Sequence, residues 1–316
     1  MNKTMAGFFV FLGAAVVICF GAVDYAGKYQ YGGIRGDIGF GNAKLSNMQE
    51  FAADEIRNIN MEYKSQNVYF YKGSGDKVVI KEYLTDGRES EISVRGNTLS
   101  VMGKDGGIRF LHFRTEKVEV FLPENYHGSI KVAAASGNIH AMDTLELEKF
   151  AVAVKSGNIS CDAVMAAEIA ASADSGNIVF QKAQGKRRIM TASGNISLRA
   201  GEGDTEVSSK SGNISVVGAA GDFIASASSG NVKAEFIRTG GEISVETSSG
   251  NIRIELPKDS SFRYDGKASS GTIRTDFDDR LAFNDRKNEA KGNYGNGTDA
   301  RICTMASSGS IRILLK

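Results

Sequence analysis

The sequence predicts an all-β chain built as a parallel β-solenoid, and three observations carry that expectation. A four-residue signature recurs at a near-constant interval, the residues around it alternate with period two, and glycine is abundant while proline is scarce. The 316 residues hold 37 glycines and 2 prolines; that is roughly 12% glycine where ~7% is usual. The glycines do not fall at every third position, which excludes collagen.

The signature is Ser-Gly-Asn-Ile/Val, starting at Ser136, Ser156, Ser175, Ser193, Ser211, Ser229 and Ser249, with variants Ser-Gly-Thr-Ile at Ser270 and Ser-Gly-Ser-Ile at Ser308. Successive starts lie 20, 19, 18, 18, 18, 20, 21 and 38 residues apart. An interval near 19 suits one rung of a solenoid, so nine copies predict about nine rungs. The last interval is either two periods or one period with an insertion.

Counting from each Ser tests the pattern. Three residues on stand Ile139, Ile159, Ile178, Ile196, Ile214, Val232, Ile252, Ile273 and Ile311, all β-branched. Five residues on stand Ala141, Cys161, Phe180, Leu198, Val216, Ala234, Ile254, Thr275 and Ile313, which extend the same face. Between them come His140, Ser160, Val179, Ser197, Ser215, Lys233, Arg253, Arg274 and Arg312, polar in all but one copy. Such alternation is what a half-buried strand requires. Before the Ser, sets such as Phe150, Val152 and Val154 form a second inward row, interrupted in one unit by Arg187. Each unit therefore reads as two short strands meeting at a tight corner.

The corner residues are Gly137 and Asn138, Gly157 and Asn158, Gly176 and Asn177, Gly194 and Asn195, Gly212 and Asn213, Gly230 and Asn231, and Gly250 and Asn251. Glycine reaches positive φ without a Cβ penalty. Asparagine tolerates the left-handed region, and its amide can bond from rung to rung in a column. These residues are expected to be structural.

Residues 5–23 form an uncharged apolar stretch of 19 residues. As a helix it would be about 28 Å long, enough to cross a bilayer once. Lys3 lies before it and Asp24 after it, which favours a cytoplasmic residue 1–4 segment and an exported remainder. A cleaved signal peptide is the competing reading, but a cut after Ala22 would put Phe20 at −3 and leave no polar region. Residues 24–50 are glycine-rich without clear periodicity and read as a tether; the Arg35-Gly36-Asp37 tripeptide within them reads as chance. Residues 51–127 read as an aromatic-rich β cap, and residues 128–316 as the repeat solenoid.

Lys plus Arg (38) balances Asp plus Glu (37), so no nucleic-acid partner is expected. No catalytic, cofactor-binding or metal-binding residues are identified. His112, His127 and His140 have no nucleophile at a recognisable spacing. The densest acidic cluster, Asp276, Asp278 and Asp279 with Asp285 nearby, lacks the spacing of a calcium loop and reads as a solvated loop. Lys186-Arg187-Arg188 reads as a solvated corner. Cys161 and Cys303, if rungs stack in chain order, stand about seven rungs or roughly 35 Å apart, beyond disulfide reach. Between Tyr126 and Tyr264 there is no tyrosine, which disfavours sugar stacking on the repeats. Hydrogen bonds from the Ser/Asn/Lys faces or the aromatic cap are the better glycan contacts.

The corners, together with Val118-Glu119-Val120-Phe121-Leu122-Pro123, Ile252-Arg253-Ile254-Glu255-Leu256-Pro257 and the ending Gly292-Asn293-Tyr294-Gly295-Asn296-Gly297 followed by Ser308-Gly309-Ser310-Ile311-Arg312-Ile313, resemble bacterial membrane-anchored proteins of the DUF4097 type, labelled adhesins. The resemblance covers roughly residues 51–316. It implies a right-handed, β-helix-like solenoid and an adhesin-like role, and it supplies no catalytic residues. The expected function is a non-enzymatic binding or scaffold protein held at the cell membrane, facing outward, with an envelope polymer or a surface protein as partner. An accessory role in an envelope-stress response and a glycan-active β-helix enzyme are the alternatives.

Overall fold

The structure, a computed structural model, describes residues 39–84, 88–104, 112–297 and 299–316. The expected anchor at residues 5–23 and the tripeptide at 35–37 lie outside the described residues. Among the described residues no helix is long and apolar enough to cross a membrane. The fold is all-β, a long and mostly parallel sheet interrupted by one 3-10 turn at Asp278–Arg280.

Two ladders of strands run side by side, joined at the Ser-Gly corners. Strands that end in the corner Ser pair in parallel register, Ser136 with Ser156, Ser156 with Ser175, and so on to Ser229 with Ser249. Strands that start after the corner pair likewise, Ile139 with Ile159, Ile178 with Ile196, and Ile214 with Val232. Register is uniform because the corner permits no other. Its nine glycines have φ between +132° and +156°. A Cβ on any of them would lie 1.8–2.4 Å from the carbonyl oxygen of the preceding layer. Only glycine lets the layers close to hydrogen-bonding distance, as in Gly176 N–H donating to Ser193 O at 2.8 Å.

The asparagines form a continuous column. The Oδ1 of each accepts the backbone N–H of the next at 2.8–2.9 Å, from Asn67 through Asn138, Asn158, Asn177, Asn195, Asn213 and Asn231 to Asn251, whose own Oδ1 takes Ser310 N–H. Inside, the +3 residues Ile139 to Ile311 are each at most 1% exposed. Phe150, Phe180 and Phe223 fill the same core. Thr191, Ser209 and Thr247, polar but inward, donate their hydroxyls to the carbonyls of Gly176, Gly194 and Gly230. Thr275, expected inside at +5, is only half-buried because its strand stops there.

Three expectations need correction. Part of the expected tether at 24–50 is strand: Gly39–Asn42 pairs with His112–Thr115, and Leu45–Ala52 pairs antiparallel with Lys77–Tyr83. Its alternation is obscured because it packs on an edge rather than in the repeat. The expected cap is more than a lid, for Asn58–Tyr63 and Asn67–Gly73 stack in register on Ser129–Ser136 and Ile139–Ser156. The layers also do not follow chain order. After Ser270 the chain forms the antiparallel pair Leu281–Phe283 and Glu289–Tyr294, then returns to insert Ala300–Ser308 between Gly241–Ser249 and Phe262–Ser270. The 38-residue interval is therefore an insertion, and Gly309 sits between Gly250 and Gly271. From Gly157 the column passes Gly176, Gly194, Gly212, Gly230 and Gly250 to Gly309, six steps, so Cys161 and Cys303 are one layer nearer than chain order implies. Both are free thiols.

The fourth unit's Arg187 is not part of a solvated corner. It is 1% exposed, and its guanidinium donates to the carbonyls of Ala183, Gly201, Glu202 and Gly203 and to Thr205 Oγ1. The cause is local. The long strands Ile139–Ser156, Ile159–Ser175 and Ile178–Ser193 turn the third side of the rung as continuous strand, whereas the next rung turns it as a loop, residues 201–204. The loop's inward carbonyls need donors, and Arg187 supplies them. Burial pushes its guanidinium down to about 10, so it stays charged at neutral pH.

Gly212→Ala is expected to destabilise the chain by about 2 kcal/mol or more, through positive φ and the clash with Gly194 O. Denaturant unfolding checks this, with Asn213→Ala, expected to cost only about 1 kcal/mol, as the comparison. Arg187→Ala should cost about 2 kcal/mol or more by stranding the buried Ala183 carbonyl and three part-buried loop carbonyls, and Arg187→Lys should recover little of it, because one ammonium cannot reach the same set.

Candidate functional site

Uniform register has a consequence on the outer surface: residues at one repeat position line up into a row along the stack. The row at the fourth position after each Ser is continuous through the second ladder. Tyr69 pairs with His140, then in turn come Ser160, Val179, Ser197, Ser215, Lys233, Arg253, Arg312 and Arg274. Nine steps at ~4.8 Å give a strip about 43 Å long. None of its residues is buried. Its chemistry changes along its length, from aromatic through hydroxyl to cationic.

At the aromatic end, His140 stacks on Tyr69 with ring centres 4.8 Å apart and planes 11° apart. Tyr71 stacks on Phe121 at 5.2 Å, with Lys81 Nζ 4.7 Å from the Phe121 ring centre. Lys117 covers the Tyr83 ring at 4.4 Å and pairs with Glu119. Of the cap's aromatics Tyr63 and Phe70 are buried, and those that face outward are turned by neighbouring strands onto one another. Face-on sugar stacking, the best use of an aromatic platform, is largely pre-empted here. Burial pushes His140 below its ordinary value, so the ring is neutral at pH 7.

At the opposite end, the flank of the strip carries a clustered carboxylate. Glu255 is 2% exposed; Arg253 Nε lies 2.7 Å from its Oε1, Lys316 Nζ pairs with its Oε2, and Lys233 Nζ is 3.9 Å away. Lys316 also reaches Glu235 at 3.1 Å. Burial alone would raise the Glu255 carboxyl, but hydrogen bonds from Lys316 and Arg253 and the charge of Lys233 outweigh it and hold it below the usual range. These pairs tie the last strand, Ile311–Leu315, to its neighbour.

The other residues singled out in the sequence do not converge. Asp278 accepts from the N–H and hydroxyl of Thr275, Asp276 takes Leu315 N–H at 3.0 Å, and Asp279 pairs with Arg280 at 3.2 Å. They serve local turns. Among the described residues no group of three or more His, Cys, Asp or Glu is placed to hold a metal ion. Cys161 is buried, which pushes its thiol up to about 12 and leaves it unreactive. An open groove of about 540 Å³ over Leu147 and Ala166 is lined by His127, Glu146 and Glu148, but His127 Nδ1 is engaged with Glu146 O at 3.1 Å and Glu148 faces Arg57 at 3.5 Å. In the asparagine column each Oδ1 is taken by a backbone N–H, and all but those of Asn158 and Asn251 also accept the next amide, which makes it structural. The strip was visible in the sequence as an outward position, and its four cations stood last in the alternation; the signal read only as polarity.

Glu255 carries a pH prediction. Its folded value lies below the unfolded value of about 4.3, so its contribution is present above that pH and is lost as pH falls through the lower folded value. Glu255→Gln should lower Tm at neutral pH and should flatten the fall in Tm between about pH 5 and pH 3. Thermal melts of both proteins across that window would contradict the assignment if their pH slopes were the same.

Comparison with known proteins agrees with this architecture. Among solved structures, a protein from Parabacteroides merdae ATCC 43184 described as a "putative adhesin" aligns with TM-score 0.52 at 13% identity, covering 86% of this chain and 97% of that one. Another so described, from Bacteroides fragilis NCTC 9343, aligns with TM-score 0.42 at 14% identity, covering 85% and 97%. At 13% identity the likeness to the Parabacteroides merdae protein concerns the fold alone. No curated protein matches the sequence significantly. The model of the Toastrack family, DUF4097, matches residues 56–314, which is nearly all of the described stack. With the Ser-Gly corners, the parallel ladders and this match in agreement, the chain belongs to the DUF4097 (Toastrack) family.

Proposed function

We propose that this Toastrack chain is a non-enzymatic binding or scaffold protein of the bacterial cell envelope, adhesin-like, which holds an extended polymer along its outer strip. The observation that carries the reading is the strip itself: one row, about 43 Å long at ~4.8 Å per step, with no buried residue and no interruption in register. A row of this kind suits a chain-like ligand, which gains affinity from many weak contacts repeated at one interval. It lacks the enclosure that small-molecule sites need.

In this reading residues 5–23 form the single helix that anchors the chain, and a right-handed solenoid of about nine Ser-Gly rungs stands on the outer side of the membrane. The description of the Parabacteroides merdae protein as a "putative adhesin" points the same way. The apolar length of 5–23 and the Lys3/Asp24 flanks support the anchor.

The test uses the full-length chain, purified in detergent and presented to isolated envelope fractions and to membrane extract. Saturable retention by a wall polymer is expected. Ser197→Trp, which puts a bulky ring at an exposed position midway along the strip, should weaken that retention roughly tenfold while leaving Tm nearly unchanged. Retention of a membrane protein alone, indifferent to Ser197→Trp, would overturn the reading in favour of an accessory role in envelope-stress signalling.

A further inference from the structure

Four consecutive members of the strip carry positive charge. Lys233, Arg253, Arg312 and Arg274 stand on neighbouring strands in direct register. Like charges placed directly opposite each other on adjacent strands are destabilising. A row of four at ~4.8 Å is therefore a cost to the fold unless something outside it compensates. Glu255 partly does so for Arg253 at 2.7 Å and Lys233 at 3.9 Å. Arg312 and Arg274 are exposed, and among the described residues neither side chain has a hydrogen bond or an ion pair. On these strands and at Lys316, five side chains are cationic: Lys233, Arg253, Arg274, Arg312 and Lys316. They face Glu235, Glu255 and Asp276, three carboxylates that are already engaged by Lys316, by Arg253 and by Leu315 N–H. The excess is local, since the whole chain carries a net charge of only +1.

We infer that the Lys233–Arg253–Arg312–Arg274 row is the binding site for a linear acidic polysaccharide that carries a carboxylate on successive sugars. This rests on the proposed use of the strip and adds the chemistry of its ligand. The cations lie in a line rather than around a centre, so they fit repeated anionic groups on one chain better than a single small anion. Guanidinium groups bind carboxylates in a bidentate way, and Arg312 and Arg274 have their donors free to do so. The steps leading to the cations, Ser197 and Ser215, carry hydroxyls in the same row at the same interval. A polyhydroxylated chain can both donate to and accept from those hydroxyls, while a bare polyphosphate can only accept. No aromatic residue lies among the four cations to stack a base, which removes the main contact of single-stranded nucleic acid.

The experiment measures binding of the full-length chain in detergent to polygalacturonate, with dextran as the neutral polymer and polyphosphate as the non-sugar polyanion. Polygalacturonate is expected to bind with an affinity that falls steeply with salt, and dextran is expected not to bind. Arg274→Gln with Arg312→Gln should weaken binding roughly tenfold or more, whereas Arg274→Lys with Arg312→Lys, which keeps the charge but not the bidentate fork, should lose less than the glutamine pair. Both positions are exposed, so Tm is expected to be nearly constant. Equal binding of the glutamine double variant, binding of dextran as tight as of polygalacturonate, or binding of polyphosphate alone would overturn the inference. The two readings fail separately. If Ser197→Trp abolishes envelope retention while the glutamine pair leaves it intact, the strip stands and its anionic ligand falls. If neither variant matters, both fall.

Discussion

The structure depends on one close approach, the passage of each corner glycine over the carbonyl of the layer beneath. There is no space for a Cβ at that point, with 1.8–2.4 Å to the nearest backbone oxygen at all nine corners. A corner that admits only glycine at positive φ can be occupied by only one residue of the repeat. This is why strands of different length and composition stack in the same register from Ser136 to Ser270. The asparagine that follows reinforces the register with a side-chain bond to every next layer. A slip of one residue would break both and turn the isoleucine column outward.

Inside and outside then divide cleanly. The inner rows pack into one continuous core, and several polar residues enter it with a partner in place: Thr191, Ser209 and Thr247 on corner carbonyls, Tyr264 on Thr304 Oγ1 at 2.8 Å, and Arg187 on the loop carbonyls. Arg187 is the most demanding of these, since a buried guanidinium without an ion-pair partner survives only where its donors are matched. Its position marks the change from a strand-built to a loop-built third side. Outside, the same register turns each repeat position into a row, and the row through Ser197 is the one that a ligand can follow.

The ends of the stack are handled by topology. At one end antiparallel strands, Leu45–Ala52 with Lys77–Tyr83 and Glu91–Arg95 with Thr98–Met102, cover the last parallel layers. At the other, Glu289–Tyr294 lies antiparallel on Phe262–Ser270. In both places the outermost layer of the repeat type is not the terminal one in the chain: Asn58–Tyr63 lies inside Thr98–Met102, and Ala300–Ser308 lies inside Phe262–Ser270. Exposed parallel edges invite pairing with other chains, and these closures cover both ends of the first ladder and the Tyr69 end of the second. The Glu255 cluster with Lys316 ties the end of Ile311–Leu315 to Ile252–Leu256.

Much of this was legible from the sequence because a repeat states its own geometry. Nine Ser-Gly corners with isoleucine or valine two residues after the glycine determined the all-β stack, the inward columns and the structural role of Gly137 to Asn251. These are local rules, the positive φ of glycine and the period of a strand, and they need no distant contact. Other features were decided only by the tertiary structure. The insertion of Ala300–Ser308 ahead of Phe262–Ser270 reorders the layers, and spacing along the chain carries no record of which edge a returning strand will join. The burial of Arg187 depended on a loop 14 to 16 residues away that offers carbonyls, which its own basic neighbours disguised. The aromatic faces of Tyr69, His140, Tyr71 and Phe121 were closed by partners on other strands. The sequence determined what each repeat position faces, because that follows from backbone geometry; which side chains meet across layers was decided in three dimensions, because it follows from stacking order.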